Sequence, residues 1–294
     1  MGFGNDIALF KHWASTSADG LLDTYNVLGD NIDYPPGYVY ILNLCGHLGN
    51  LFHAQDTMLY TIIIKLPAIL SDCGIGLFIY LFCKERTSAK WTYFFVLLWM
   101  FNPLSILDSA VWGQVDSVLA LALVAALYFI TKEKYVLSAV LFGVGVMLKP
   151  QAIIVLPILF FALLKNKYKR VRTFLFSALA GIGTAVGLAL PFGLSVDMTT
   201  SHMHTTVTPI LQLLHADGGG VITKIATPFA WILSLFMGTT GHYDYATVNA
   251  LNFFFAMDAN WVKDSESFWG LTYFIWGMIF IVLGTALTLS LIHI

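Results

Sequence analysis

Residues 57–83 read TMLYTIIIKLPAILSDCGIGLFIYLFC, and of these positions only Lys65 and Asp72 carry charge. About 20 apolar residues in a helix cross a hydrocarbon core of about 30 Å, so this stretch is long enough to span a bilayer. Its apolar residues surround the helix axis, whereas the surface helix of a soluble domain confines them to one stripe. Working outward, comparable runs occupy 91–109, 115–131, 173–194 and 268–291. Two shorter runs, 135–148 and 151–164, meet at Lys149-Pro150-Gln151. At about 1.5 Å rise per residue, each reaches about two-thirds of the way across. The fold class that follows is all-α, a polytopic transmembrane helical bundle.

Composition agrees. Of 294 residues, 58% are hydrophobic and 11% charged, against about 45–50% and about 25% in soluble domains. The formal net charge is −2, and no basic patch offers nucleic acid a surface, so that partner is excluded. Cys45, Cys73 and Cys83 are scattered without CxxC spacing, which excludes a disulfide framework or a zinc site and is read as three buried small hydrophobes. The polar opening Met1 to Asp33 and the apolar end at Ile294 are those expected of a fragment.

Lys and Arg set the orientation, because short basic loops stay cytoplasmic. The loops 84–90, 132–134 and 165–172 hold ten of the fifteen. With these inside, Asp6 to Gln55, the 110–116 turn, the 149–151 turn and 195–267 all fall outside. Residues 36–55 carry Asn43, His47, Asn50 and His53 at helical spacing, with Ile41, Leu44, Leu48 and Phe52 largely opposite. That pattern suits an amphipathic helix in the interface plane, and a bundle-facing span would show the same stripe. The expected organisation is an external acidic loop with an interfacial helix over 1–56 and a helix bundle over 57–194. An external loop region over 195–267 and a truncated transmembrane helix over 268–294 complete it.

Four polar constellations interrupt the apolar background. Asp6, Phe10 and Trp13 precede Asp33-Tyr34-Pro35-Pro36-Gly37, where the prolines make a rigid corner. Asp6 suits general-base chemistry and equally suits the start of a helix running through Trp13. Trp112-Gly113-Gln114-Val115-Asp116-Ser117 sits at the outer end of a span, where an ionisable group faces a cavity or a partner, or favours a helix start. Lys149 at the junction of the short helices needs an anion: a lipid-borne phosphate helped by Gln151 and the helix start after Pro150, or a nearby aspartate. Lys65 and Asp72, seven residues apart, should both point into the bundle, as structural polar groups or, as the lesser option, in contact with a lipid headgroup. Asp108 near its span end resembles them, or reaches water.

The outer segment holds Asp197, His202, His204, His215 and Asp217. Histidines at i and i+2 share a strand face, but without a clear third ligand no metal site is assigned. A loop closing over substrate fits the segment better. Asn249 and Asn252, with Asp258 and Trp261, bring amides and an aromatic ring that suit a sugar or an interfacial belt.

In their order along the chain, the acidic Asp6 with Phe10 and Trp13, Asp33-Tyr34-Pro35-Pro36-Gly37, Gly113-Gln114-Val115-Asp116-Ser117 and Lys149-Pro150-Gln151 resemble the glycosyltransferase C superfamily. The likeness is to its bacterial GPI-mannosyltransferase-II-like proteins, with Asn249-Ala250-Leu251-Asn252 as a fifth element. Dolichol-linked glucosyltransferases of that superfamily have a similar acidic-Trp stretch and Asp-Tyr-Pro-Pro corner. The resemblance implies hexose transfer, mannose being a guess, from a polyprenyl-phosphate donor to a glycan or lipid-linked acceptor at the non-cytoplasmic face of the bilayer. It places the catalytic base at Asp6 and implies donor or acceptor contacts at Asp33, Tyr34, Gln114, Asp116, Lys149, Gln151, Asn249 and Asn252. No cofactor follows with certainty, and a divalent metal stays open. A multi-span transporter or lipid flippase is the rival class, although no internal repeat relates two halves of the chain. A polysaccharide polymerase or ligase would share the lipid-linked donor.

Overall fold

The computed structural model describes residues 3–165, 170–241, 244–248 and 252–292. It divides into two compact units, Met1–Ser234 and Leu235–Ile294.

The first unit begins with α1 (Phe3–Asp19), α2 (Thr24–Leu28) and α3 (Pro36–Leu51). Ile7, Phe10, Trp13, Ala14 and Ser17 recur every three or four residues and are buried, so the polar opening of the chain winds into a helix with one inward stripe. Asp6 lies in its first turn, where a carboxylate complements the helix dipole. The stripe packs on α3 so closely that a Cβ at Gly46 would lie 2.1 Å from the Ala14 carbonyl oxygen. The segment expected as an acidic loop with an interfacial helix is thus mostly helical, with α1 burying its stripe against α3.

Helix α4 (Met58–Cys83) follows the expected span and packs against α3, α5 (Ala89–Met100) and α7 (Asp116–Thr131). The chain between α5 and α7 is broken. Asn102 accepts a hydrogen bond from the Leu104 amide at 3.0 Å, and Pro103 starts α6 (Pro103–Ile106). A π-helical stretch, Leu107–Trp112, follows and ends at Gly113 in the left-handed region, φ 86°. Beyond α7 come α8 (Tyr135–Leu148), a 3-10 turn (Pro150–Val155), α9 (Leu156–Lys165) and α10 (Arg170–Leu194). The two short apolar runs expected around Lys149 are therefore α8 and the turn with α9.

Among the described residues, four helical stretches are long and apolar enough to cross a membrane: Met58–Cys83, Ala89–Trp112, Val171–Leu194 and Gly220–Met237. Phe94, Leu97, Leu98, Leu179 and Ile182 are exposed, as expected where lipid is the solvent. The fourth stretch departs from the external loop expected over 195–267. That segment forms α11 (Ser201–Leu213) and α12 (Gly220–Gly241), whose apolar run is masked in the sequence by Lys224, Thr227 and Pro228. Of the cysteines, only Cys45 is buried; Cys83 is partly covered and Cys73 faces outward, against the expectation of three buried thiols.

The second unit, which α12 enters, contains α13 (Phe253–Ala256), a hairpin of β1 (Ser267–Phe268) and β2 (Leu271–Thr272), and α14 (Tyr273–Ile292). Phe254, Ala259 and Tyr273 form its core.

Candidate functional site

The face of α1 that carries Phe10 and Trp13 also carries Asp6, at i, i+4 and i+7. Asp6 Oδ2 accepts hydrogen bonds from Trp112 Nε1 and Gln114 Nε2, each at 2.6 Å. Both donors flank Gly113, so the turn that ends the π-helical stretch presents them together. Lys65 supports that turn from α4: its ammonium donates to the carbonyls of Ala110 (3.0 Å) and Val111 (2.7 Å), which the end of the helix leaves without partners along it. π-Helical insertions favour functional sites, because they re-aim the side chains at their ends. A Cβ on Gly113 would meet Ile7 Cδ1 at 2.6 Å and Lys65 Cγ at 2.9 Å, and the backbone there has φ 86°. Gly113→Ala is expected to lower stability by about 1–3 kcal/mol. The readout is the thermal midpoint in detergent, and an unchanged midpoint would show that the turn relaxes without strain.

Lys149 is extended, φ −156° and ψ 132°, as a residue before proline prefers. The α3 start reaches it because Gly37 lets the backbone approach: a Cβ there would be 2.5 Å from the Met147 carbonyl oxygen. Largely covered, the Lys149 ammonium lies 2.6 Å from Asp116 Oδ1 and 5.4 Å from the centre of the Tyr34 ring. Asp116 is thus the aspartate within reach of Lys149, one of the two anions that its sequence position left open. Tyr34 in turn stacks on Phe10 (6.0 Å) and meets Trp13 edge-on (5.5 Å). Trp13 Nε1 donates to the Asn31 carbonyl at 2.8 Å, which fixes the aromatic box to the turn before the proline corner.

These contacts close into a ring. Asp6 touches Gln114; Asp116 follows two residues on and pairs with Lys149; Lys149 faces Tyr34; Tyr34 stacks on Phe10; and Phe10 is one helical turn from Asp6. The four sequence constellations thus converge on one place, by way of α1, the proline corner, the π-helical turn and the start of the 3-10 turn. Asp108 lies within electrostatic reach of Asp116, Lys149 and Asp72, so the ring sits in a neighbourhood of mixed charge. Asp72 accepts from Ser117 Oγ at 2.8 Å. Lys65 and Asp72 both turn into the bundle.

The remaining expected residues separate from this group or stand at its edge. Asp33 is partly buried beside Tyr25, whose hydroxyl donates to the Tyr34 carbonyl at 2.7 Å. Burial, with Tyr40 and Asp33 nearby, pushes the Tyr25 phenol well above its usual range. Gln151 is exposed on the 3-10 turn. Asn252 belongs to the second unit, where its amide caps α13 through the Phe255 amide (3.0 Å) and donates to Thr247 (3.1 Å). Asn249 lies outside the described residues. His202 and His204 fall on helix α11 instead of a strand, so they diverge in direction; His202 pairs with Asp30 at 2.9 Å. Among the described residues, no group of three or more His, Cys, Asp or Glu side chains is placed to hold a metal ion. Trp112, Phe10 and Lys65 were missed as site residues. The only sequence signal for Trp112 was its place beside Gly113-Gln114.

A helical bundle whose crossing stretches expose their apolar sides, with a polar ring at helix ends, defines an integral, multi-pass membrane protein. The family model described as GPI transamidase subunit PIG-U matches residues 16–219, and the chain belongs to that family. No curated protein matches the chain, and no solved structure does. The match includes Tyr34, Gln114, Asp116 and Lys149, and begins after Asp6. The narrower likeness to bacterial mannosyltransferases is not what this match names.

Proposed function

We propose that the chain engages a phosphate-linked glycolipid at the non-cytoplasmic face and transfers a hexose from a polyprenyl-phosphate donor to a glycan or lipid-linked acceptor. The observation that supports this reading is the ring that joins Asp6 through Gln114 and Asp116 to Lys149. In the reaction, the acceptor hydroxyl gives its proton to Asp6 while its oxygen forms the new bond to the anomeric carbon. The bond from that carbon to the phosphate oxygen breaks, and polyprenyl phosphate leaves with the electron pair. Trp112 and Gln114 converge on one carboxylate oxygen and so fix the rotation of the base. Lys149 stabilises the growing charge on the leaving phosphate, exchanging Asp116 for it. Tyr34, only partly buried, offers aromatic surface to the sugar, with the buried Phe10 and Trp13 packed behind it.

A second reading has its own support. The family description names a transamidase subunit, and the match leaves out Asp6 while keeping Tyr34, Gln114, Asp116 and Lys149. In that reading the ring recognises a glycolipid within a multi-subunit transamidase and transfers no sugar itself. Radiolabelled polyprenyl-phosphate mannose offered to the full-length protein in liposomes separates the two. Transfer to an acceptor supports the enzyme; saturable binding without transfer supports the recognition subunit; passage of the label across the bilayer with neither would contradict both.

A further inference from the structure

A groove of about 640 Å³ lies at the far end of α8 from Lys149, lined by Glu133, Lys134, Tyr135, Val136, Leu137 and Val140 and, from α10, Thr173. Its shape follows from how α8 and α10 cross. They touch where Gly143 faces Gly181, with a Cβ on Gly143 placed 2.4 Å from the Gly181 carbonyl oxygen. Such small-residue contacts bring two backbones together at one level, and the groove opens nearer the helix starts. Its lining changes character along α8. Lys134, Tyr135 and Thr173 bring an ammonium and two hydroxyls to the lining beside Glu133, and Val136, Leu137 and Val140 follow along the helix as its apolar part.

The groove opens at the strongly basic end of the molecule. Among the described residues, Lys84, Arg86, Lys90, Lys132, Lys134 and Arg172 stand at this end against Glu85 and Glu133. Glu85 is already paired with Lys132 and Arg86. Lys134 Nζ lies 5.7 Å from the centre of the Phe129 ring and Arg172 lies over Phe176 at 5.4 Å, so these chains lie along aromatic faces at the helix ends. Glu133, also in the lining, offsets one of these charges and leaves the end positive. A polar rim with an excess of cations above an apolar wall matches one ligand chemistry, a phosphate head group attached to an acyl chain.

We infer that this groove is a binding site for an anionic phospholipid, with the phosphate at Lys134, Tyr135 and Thr173 and an acyl chain along Val136, Leu137 and Val140. The site is separate from the ring at Lys149 and does not depend on the function proposed for it. Full-length protein is reconstituted in phosphatidylcholine vesicles carrying trace spin-labelled phosphatidylglycerol or spin-labelled phosphatidylcholine. The fraction of each label that the protein immobilises is then measured. Wild type is expected to prefer phosphatidylglycerol; Lys134→Gln should reduce the preference about five-fold. Val140→Trp, which fills the apolar wall and leaves every charge in place, should abolish it, and Lys90→Gln, outside the lining, should change it far less than Lys134→Gln does. Equal immobilisation of both lipids by wild type would overturn the inference. So would a preference that survives Val140→Trp, since that would mark diffuse attraction to the basic loops.

Discussion

Asp6→Asn in the full-length protein is expected to lower sugar transfer by about 10²–10⁴-fold, the range a positioned general base contributes. Affinity for the glycolipid should change little. The substitution is nearly isosteric, and the asparagine oxygen still accepts from Trp112 Nε1 and Gln114 Nε2, which lie 2.6 Å from Asp6 Oδ2. What it loses is the capacity to take a proton. Steady-state transfer measured beside equilibrium binding separates the two effects. Wild-type turnover in Asp6→Asn would remove Asp6 as base and favour the recognition-subunit reading, which needs no proton acceptor.

Lys149→Met should weaken binding of a polyprenyl-phosphate lipid by about 10–100-fold. That is the worth of one charge-assisted hydrogen bond to phosphate, about 1.5–3 kcal/mol. The same change leaves Asp116 without its cation. Breaking a fully buried pair costs about 3–5 kcal/mol, but the Asp116 side chain is 48% exposed, so a loss of about 1–3 kcal/mol is expected here. The partner substitution distinguishes function from scaffolding. Asp116→Asn also lowers stability, yet it releases the ammonium, so phosphate affinity should rise. If Lys149 serves only to hold the 3-10 turn against α7, both variants lose stability and neither changes lipid binding.

The spans were legible because composition alone defines them: runs such as 57–83 have no polar side that a soluble fold would require. Other helices were hidden by their own polar residues. In α1, Asn5, Lys11, His12 and Thr16 mask the buried stripe of Ile7, Phe10, Trp13, Ala14 and Ser17, of which only three are large and apolar. In α12, Lys224 and Pro228 divide an apolar run that the helix nevertheless carries through. The site was legible as separate motifs and not as an arrangement. Asp6 and Gln114 are 108 positions apart, and Asp116 and Lys149 are 33 apart. Pairings at such range depend on how helices pack, here on the close approaches at Gly37, Gly46 and Gly113. Trp112 shows the limit most clearly: nothing near it in the chain signals that its indole reaches back to α1. For Lys65 the apolar surroundings dictate the direction, into the bundle, and not the partner, since carbonyls without helical partners at Ala110 and Val111 exist only once the π-helical stretch has formed.

The ring of residues with Lys149 at its cationic point is proposed to receive the phosphate of a lipid-linked sugar. Photo-crosslinking tests it most directly, using a polyprenyl-phosphate analogue with a diazirine beside the phosphorus, added to the full-length protein in liposomes. Peptide mapping should place the adducts on the Lys149-Pro150-Gln151 segment and the Asp33-Tyr34 corner, with competition by unlabelled lipid and loss in Lys149→Met. Competed adducts confined to the opposite ends of the helices, around 84–90 and 132–134, would place the phosphate away from Lys149 and rule out that role.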